Sequence, residues 1–345
     1  MQFRTIRSLL VAGLVACLFA GCYPFGAGSV EVRTLWGYAI GTSYTVRVVA
    51  TERQAKKLDT EIRSALNRIN DSMSTYLPRS ELSRFNDAPV GEWVRLSDDF
   101  YHVLAMAMDV AETSNGAFDP TIGPLVDLWG FGPIPRTDRK PSDEEIEAAR
   151  RQVGYQGIEL DPTEQRARKL EPRALDLSGI AKGHATDVVA DMIEAAGIES
   201  YLVEIGGELR INGKKPDGTG WRIAIETPDS RQGFYRILEL SSGAMATSGD
   251  YRNYFEEAGV RYSHTINPAT GLPIDNNLAS VTVLTQSSAM ADAYATVFMV
   301  LGVEQSLVLA DRLEMSLFVI ERTEDGFKAS QSRRFIQLFG ASAQL

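Results

Sequence analysis

The chain has 345 residues, of which 44% are hydrophobic and 23% charged, a composition typical of a globular protein with a sizeable core. A formal net charge of -10 argues against a nucleic-acid-binding protein, because neutralising phosphates requires clustered lysine and arginine. Both cysteines, Cys17 and Cys22, lie in the first segment, and no HExxH pair occurs among the three histidines. An ordinary zinc enzyme is therefore not expected.

The first segment has the pattern of a signal for export. Arg4 and Arg7 precede an apolar stretch over residues 9–20, which is too short to cross a bilayer of about 30 Å as a helix. The small residues before Cys22 resemble a bacterial lipobox, and this resemblance implies a lipidated Cys22 at the start of the mature protein. The alternative is an ordinary signal peptide with an incidental cysteine. We expect a signal peptide over residues 1–21, a tether over 22–34 and one domain over 35–345.

Hydrophobic spacing predicts the elements of the first half. Tyr44, Val46 and Val48 alternate within a predicted strand, whereas Leu58 and Ile62 belong to an apolar series at helical spacing. The predicted elements are a strand over 42–49, helices over 53–72 and 97–113, a helix capped at Ser142, a strand directly before Asp176, and a helix over 180–196.

The second half contains runs of strands with short turns. Predicted strands cover 201–205, 208–212, 221–226, 234–240 and 278–285, followed by helices at 288–301 and 304–312 and a final strand pair. Strands that follow one another without strict alternation with helices indicate an α+β fold.

The most informative helix is apolar on nearly every side and yet carries Asp292 and Thr296. Their i, i+4 spacing puts both oxygens on one face, and a buried carboxylate needs a cationic partner. A hard divalent cation such as magnesium would fit this oxygen pair. The alternative is that Asp292 caps the helix or pairs with an arginine while Thr296 bonds back to the helix.

Two glycine-containing turns could contact a ligand. The sequence DLSGIAKG, from Asp176 to Gly183, opens a helix, and the amide groups of a helix N-terminus together with Lys182 would bind an anion. The turn at Gly206 and Gly207 allows close backbone approach. A tight strand-to-helix turn and a simple hairpin turn are the structural alternatives.

Two polar loops complete the candidate chemistry. The loop AFDPT contains Asp119 before a proline, for which turn formation is the structural explanation. The loop SHTINPATG contains His264. A lone histidine is more often structural, but one beside an acidic metal site is a candidate for proton transfer. There is no GxSxG elbow, Walker loop or GxGxxG helix start, so hydrolase, P-loop and Rossmann interpretations lose their main support.

Taken together, these motifs carry a family resemblance. Gly41-Thr42 with Tyr44, STY at 74–76, SELSRFN at 80–86, AFDPT, DLSGIAKG, GGE, SHTINPATG and ADAYAT occur in one order between about residues 36 and 302. In this order they resemble the ApbE family, the FAD:protein FMN transferases. The resemblance implies a T-fold-like α+β architecture with FAD in a cleft between two intimately packed lobes.

The resemblance also implies the site residues. Those expected to line the FAD site are Ile40, Tyr76, Ala117, Phe118, Asp119, Asp176, Lys182 and Ile266, with Asp176 at the adenylate end. Those expected around the magnesium ion are Gly179, Asp292, Ala295 and Thr296. Some members have threonine where this chain has Gly179, which leaves only a main-chain ligand there. Asn267 stands where many members have aspartate, so no acid–base role is assigned to it.

The implied reaction is magnesium-dependent transfer of FMN from FAD to a threonine hydroxyl of an acceptor protein, with AMP as the leaving group and His264 as the base. The implied acceptor is a subunit of a membrane redox complex of the Na⁺-translocating NADH:quinone oxidoreductase or Rnf type, on the periplasmic side of a bacterial membrane. Two alternatives remain open: a FAD pyrophosphatase that gives FMN and AMP, and a non-enzymatic flavin-binding lipoprotein.

Overall fold

A computed structural model describes residues 29–133, 140–228, 233–249, 254–257 and 260–341. The predicted signal peptide, Cys22 and residues 22–28 of the predicted tether lie outside this part of the chain. The first strand begins at Glu31, so residues 31–34 belong to the folded body and not to a tether.

The centre of the fold is an eight-stranded antiparallel sheet in the order β1-β2-β6-β7-β10-β13-β14-β15. Its strands are β1 (Glu31–Ala39), β2 (Thr42–Ala50), β6 (Tyr201–Ile205), β7 (Glu208–Asn212), β10 (Ser242–Gly249), β13 (Leu278–Thr285), β14 (Ser316–Thr323) and β15 (Gly326–Gln331). The smaller sheets contain β3 (Val94–Arg95), β4 (Ile158–Asp161), β5 (Arg166–Lys169), β8 (Trp221–Glu226), β9 (Phe234–Leu240), β11 (Tyr254–Glu257) and β12 (Val260–Ser263).

The helices of the described chain are α1 (Glu52–Met73), α2 (Glu81–Asp87), α3 (Asp98–Thr113), α4 (Gly123–Leu128), α5 (Asp143–Arg150), α6 (Ser178–Ala195), α7 (Ser288–Arg312) and α8 (Arg333–Phe339). Of these, α1, α6 and α7 pack directly on one face of the central sheet, and α3 packs outside them. Their apolar faces and the inner faces of β2, β6 and β13 form the main core.

Two smaller clusters extend the fold. On the opposite face of the sheet, the β8–β9 hairpin and α8 form a second core that includes Trp221 and Phe335. A third cluster joins α4 and α5 to the loop at Ile266 through Trp129. This smaller lobe faces the open end of the main lobe, and the two-lobed α+β expectation is confirmed.

Most predicted elements are confirmed to within a few residues, including the helix pair at the end of the chain. Those two helices form one element, α7, which is interrupted at Gly302, where φ is +76°. The strand predicted before Asp176 is present as β5, but it ends at Lys169, and Ala174 makes only an isolated bridge to Ile122. By length and composition α7 could cross a membrane, but half of its most apolar window is buried in the core.

Candidate active site

The site is organised around the crossing of α6 and α7. A methyl group built on Gly183 would lie 2.3 Å from the carbonyl oxygen of Ser288 and 2.6 Å from the Cα of Ala289. Only glycine therefore permits this approach of the two backbones. The crossing brings the Gly183 amide to 3.0 Å from Asp292 Oδ2, to which it donates a hydrogen bond.

A buried cluster of three charged groups lies at this crossing. Lys182 Nζ is 3.1 Å from Glu208 Oε1 and 3.6 Å from Asp292 Oδ2. The two acidic residues are 4% and 3% exposed. Burial disfavours the charged form of Lys182, but the two carboxylates outweigh that effect and raise its pKa. The sequence pattern required a cationic partner for Asp292, and Lys182 is one.

The cluster has one carboxylate more than Lys182 can neutralise. Burial raises the pKa of Glu208 to about 7, against the attraction of Lys182 and with the repulsion of Asp292. Glu208 Oε2 is buried and has no hydrogen-bond partner among the residues that the structure describes. A buried unpartnered oxygen in an acidic cluster indicates a missing positive group or donor.

Further oxygen donors lie beside Asp292. Thr296 Oγ1 donates weakly to the Asp292 carbonyl at 3.5 Å, and a methyl group on Gly179 would lie 3.2 Å from that hydroxyl. In a regular helix the Gly183 amide donates to the carbonyl of residue 179. Because the Gly183 amide donates to Asp292, the Gly179 carbonyl receives at most a share of its hydrogen bond.

These donors match the preferences of magnesium. Within the described ranges there is no group of three or more His, Cys, Asp or Glu side chains arranged to hold a metal. One carboxylate, one hydroxyl and one main-chain carbonyl nevertheless form an all-oxygen set, of the kind magnesium accepts together with waters and phosphate oxygens. The excess negative charge of the cluster fits a cation. Ala295 is fully buried in the core and supplies no side-chain donor.

The cluster forms one wall of a cavity of about 810 Å³ between the two lobes. This volume lies within the range of about 300–1,000 Å³ that holds cofactor-sized ligands. Of the predicted residues, those that line the cavity are Tyr76, Ala117, Phe118, Asp119, Asp176, Gly179, Lys182, His264, Ile266, Asp292 and Thr296. Ile40 is not among the lining residues: it forms the β1–β2 turn with φ of +52° and packs partly against the core.

The AFDPT loop is fixed by Asp119. Its Oδ1 accepts hydrogen bonds from the Thr121 amide at 2.8 Å and the Thr121 hydroxyl at 2.6 Å, and its Oδ2 accepts one from the Tyr155 amide at 3.0 Å. Burial raises the pKa of Asp119, although these bonds oppose the shift. Because both oxygens are engaged, Asp119 shapes the cavity wall, and turn formation explains much of its role.

A second acidic pair consists of Asp176, which lines the cavity, and Asp127. Asp176 accepts a hydrogen bond from the Ser178 amide at 2.8 Å, at the start of α6. Burial and the nearby Asp176 carboxylate raise the pKa of Asp127 to about 6. Burial and both carboxylates also raise the pKa of Tyr76, whose hydroxyl donates to the Phe131 carbonyl at 3.1 Å. The three side chains are therefore close together.

His264 lies on the smaller-lobe side of the cavity. Its ring centroid is 6.3 Å from that of Phe131, in an edge-on arrangement, and the residue is half-buried. The loop that carries it is closed by the Gly271 amide, which donates to the Asn267 carbonyl at 2.8 Å. The indole of Trp129 anchors it by donating to the Gly271 carbonyl at 2.9 Å. The structure thus brings His264 into the same cavity as Lys182 and Asp292.

Sequence reasoning missed part of the lining. Residues on the strands form a cavity wall that extends under the β8–β9 hairpin, and they include Thr42, Ser43, Glu204, Leu209, Ile223, Ala224, Glu226, Met245 and Thr247. Glu208 was noted only as part of a glycine turn. The alternation of strand residues could have indicated which of them share a face, but not that a hairpin would cover that face.

Solved structures share this fold over nearly their whole length. The apo flavinyl transferase ApbE of Pseudomonas stutzeri has a TM-score of 0.85 and 41% identity, covering 92% of this chain and all of that one. The flavin transferase ApbE of Vibrio cholerae has a TM-score of 0.83 and 43% identity, covering 89% of this chain and 99% of its own.

Curated relatives agree with the structural similarity. A FAD:protein FMN transferase of Vibrio cholerae is 43% identical over 96% of this chain and 98% of its own length. One from Escherichia coli K12 is 34% identical over 97% of each chain. The chain is therefore an enzyme of the transferase class. The profile of the ApbE family matches residues 40–319, and the chain belongs to the ApbE family.

Proposed function

We propose that this enzyme transfers FMN from FAD to a threonine hydroxyl of an acceptor protein and releases AMP. The observation that carries the proposal is the buried cluster of Lys182, Glu208 and Asp292, which has an excess carboxylate and opens on a cavity large enough for a dinucleotide. Relatives at up to 43% identity are named FAD:protein FMN transferases, which supports the same reaction here.

FAD would lie along the cavity with its diphosphate near the start of α6. The Ser178 amide at its start donates to Asp176, and the Ile180 and Ala181 amides donate to the Leu177 carbonyl. Within the described residues this leaves the Gly179 amide of the first turn available to an anion. Asp176 and Tyr76 lie at the end assigned to the adenylate, where carboxylate and phenol oxygens can accept hydrogen bonds from ribose or adenine. Phe118 and Ile266 supply apolar surface for the rings.

Asp292, Thr296 and the Gly179 carbonyl would hold a magnesium ion beside the diphosphate. A bound magnesium ion neutralises phosphate charge and polarises the reacting phosphorus. Lys182 adds a fixed positive charge at the same wall and keeps Asp292 oriented through their contact at 3.6 Å. Transfer of this type depends mainly on positioning and electrostatics, which a closely packed helix crossing provides.

His264 would take the proton of the attacking hydroxyl. The threonine Oγ forms a new bond to the phosphorus on the FMN side, and the bond from that phosphorus to the bridging oxygen breaks. AMP then leaves with the bridging oxygen and its electron pair, and the threonine proton passes to the imidazole of His264. Asp119 is less suited as base, because both its oxygens already accept hydrogen bonds.

The acceptor would be an exposed threonine in a subunit of a membrane redox complex, of the Na⁺-translocating NADH:quinone oxidoreductase or Rnf type. The lipobox pattern at Cys22 supports a lipid-anchored enzyme on the periplasmic side of a bacterial membrane. Anchoring would raise the effective concentration of the enzyme near such an acceptor.

Intact-mass spectrometry of a candidate acceptor tests the reaction. The acceptor is incubated with enzyme, FAD and magnesium, and the expected product carries one FMN on threonine while AMP accumulates in equal amount. Replacing the acceptor threonine with valine is the matched control and should abolish both products. Release of FMN and AMP without an adduct would establish the pyrophosphatase instead, and binding of FAD without turnover would establish a flavin-binding protein.

A further inference from the structure

The outer face of edge strand β1 carries an exposed apolar row. Val32, Trp36 and Tyr38 alternate with inward-facing residues, and Trp36 and Tyr38 are each 74% exposed. Val30 precedes the strand and is also exposed. Two large aromatic side chains this exposed at the edge of a sheet indicate a surface that contacts something other than water.

A second, smaller cavity of about 310 Å³ opens on the same face. Its floor is apolar, formed by the buried Leu202 and Trp221, and its rim contains three cations: Arg47, Lys215 and Arg222. Val32 and Thr34 close the side nearest β1. In the sheet register Thr34 lies opposite Arg47 and Trp36 opposite Thr45, so the aromatic row and the cationic rim share one face.

None of the three cations makes an ion pair within the described part of the chain. Two acidic residues lie beside them: hydrogen bonds from Thr219 and the charge of Lys215 lower the pKa of Asp217, and Glu239 is the register partner of Arg222. Glu31 pairs with Arg33, Asp217 accepts hydrogen bonds from Thr219, and Glu239 accepts one from the Gly220 amide. Three clustered cations around an apolar floor are unusual in a chain of net charge -10. They match an anionic group attached to an apolar body.

The short distance along the chain from Cys22 to this face indicates what the apolar body is. Nine residues lead from Cys22 to Glu31, and fully extended they span at most about 30 Å. If Cys22 is lipidated as proposed above, the start of β1 cannot leave the neighbourhood of the bilayer. Aromatic side chains are favoured at the level of lipid headgroups, and lysine and arginine are attracted to anionic lipids.

We propose that this face docks on the membrane, with the phosphate of an anionic phospholipid in the cavity between Arg47, Lys215 and Arg222 and with Trp36 and Tyr38 in the interfacial layer. The docking has a consequence for the active site. Tyr38 lies opposite Ser43 in the register, and Ser43 lines the large cavity. This part of the cavity wall would therefore lie beside the bilayer.

The test uses the chain from residue 23 onward, which contains every residue described and cannot be lipidated. Binding is measured by co-sedimentation with vesicles of phosphatidylcholine alone or mixed with phosphatidylglycerol. We expect binding to the anionic vesicles only, weakened by added salt, with a blue shift in tryptophan emission that Trp36→Phe removes. The double variant R47E/R222E should bind at least about tenfold more weakly, because each cation near an anionic membrane surface strengthens binding several-fold.

The matched control is R53E/R95E, which changes the net charge equally, but its residues belong to α1 and β3 and line neither the small cavity nor the β1 row. It should bind as the parent chain does. Equal binding of R47E/R222E and R53E/R95E would overturn the proposal, as would equal binding to both kinds of vesicle or none to either. Unchanged vesicle binding of R47E/R222E with slower modification of a soluble acceptor would assign the surface to the acceptor protein. No flavin is used in the binding assay, so its outcome is independent of the proposed transfer reaction.

Discussion

Two charge clusters lie at the crossing of α6 and α7, and they differ in how completely their groups are paired. Asp187 of α6 accepts four hydrogen bonds, from Arg210 and Ser287 at 2.7 Å each and from the Ser288 and Ala289 amides at 2.9 and 3.0 Å. It thereby neutralises Arg210 and caps the start of α7.

The second cluster uses the same three elements, with Lys182 on α6, Glu208 on β7 and Asp292 on α7. It has two carboxylates for one ammonium group, and in the described part of the chain Glu208 Oε2 has no hydrogen-bond partner. Only this cluster opens on the large cavity. The comparison indicates that the fold can satisfy buried charges at this crossing, and that the unpaired charge beside the cavity serves a ligand.

Asp292→Ala should have the largest effect. Losing this carboxylate removes a proposed magnesium ligand, so we expect FMN transfer to fall to the level of a control without enzyme. Stability should change little, because Lys182 and Glu208 remain as a matched pair. Transfer is measured by intact mass of the acceptor, and FAD binding by fluorescence should persist. Full activity at low magnesium would refute the assignment.

His264→Ala tests the proposed role of His264 as the base that takes the proton of the attacking hydroxyl. General-base help is worth about 10²–10⁴-fold, so the turnover number should fall by that order without weaker FAD binding. The wild-type rate should fall as the pH drops through the range in which histidine gains a proton, and the variant should lack this limb. A variant that keeps the acid limb and most of its rate would place the base elsewhere.

Asp187→Asn tests the first cluster, in which Asp187 pairs with Arg210 and caps α7. It leaves Arg210 without its strongest ion pair and weakens the cap of α7, so we expect a loss of about 2–3 kcal/mol in the free energy of unfolding. The residue does not line the cavity, and the turnover number should stay within a few-fold of wild type at a temperature where both proteins are folded. Urea unfolding and steady-state kinetics separate the two effects. A large drop in the turnover number without loss of stability would contradict the assignment of the Asp187 cluster to stability and not to catalysis.

The smallest effect concerns Asp127, which interacts with the cavity residue Asp176. Burial and Asp176 raise its pKa to about 6 in the folded chain, so the folded state binds the proton more tightly than the unfolded state. Its contribution to stability is therefore greatest at low pH and is lost as the pH rises from about 4 to about 6. Asp127→Asn should remove this dependence, which we expect to amount to about 1 kcal/mol after solvent screening. Equal pH profiles of the free energy of unfolding would contradict the shift.

The sequence predicted the elements with strong periodicity and the polar pair at Asp292 and Thr296, because an i, i+4 pair in an apolar helix is visible without a fold. It did not predict β10, whose Ser, Gly, Ala and Thr residues give weak alternation although the strand is central in the sheet. The contact between Glu208 and Lys182 depends on the sheet register, which the sequence does not show. Ile40 and Ala295 carried the family pattern, but the structure places them beside the cavity wall and not on it.

The close contact at Gly183 also has a consequence for how the enzyme tolerates change. Two backbones in contact have no rotamers to adjust, so the separation of the main chains that carry Lys182 and Asp292 is set by main-chain atoms. Core substitutions elsewhere can be absorbed by repacking of side chains and should alter stability without moving these groups. Substitutions elsewhere in the core can therefore accumulate without changing how α6 and α7 cross at the active site. Position 183 itself can accept no residue other than glycine.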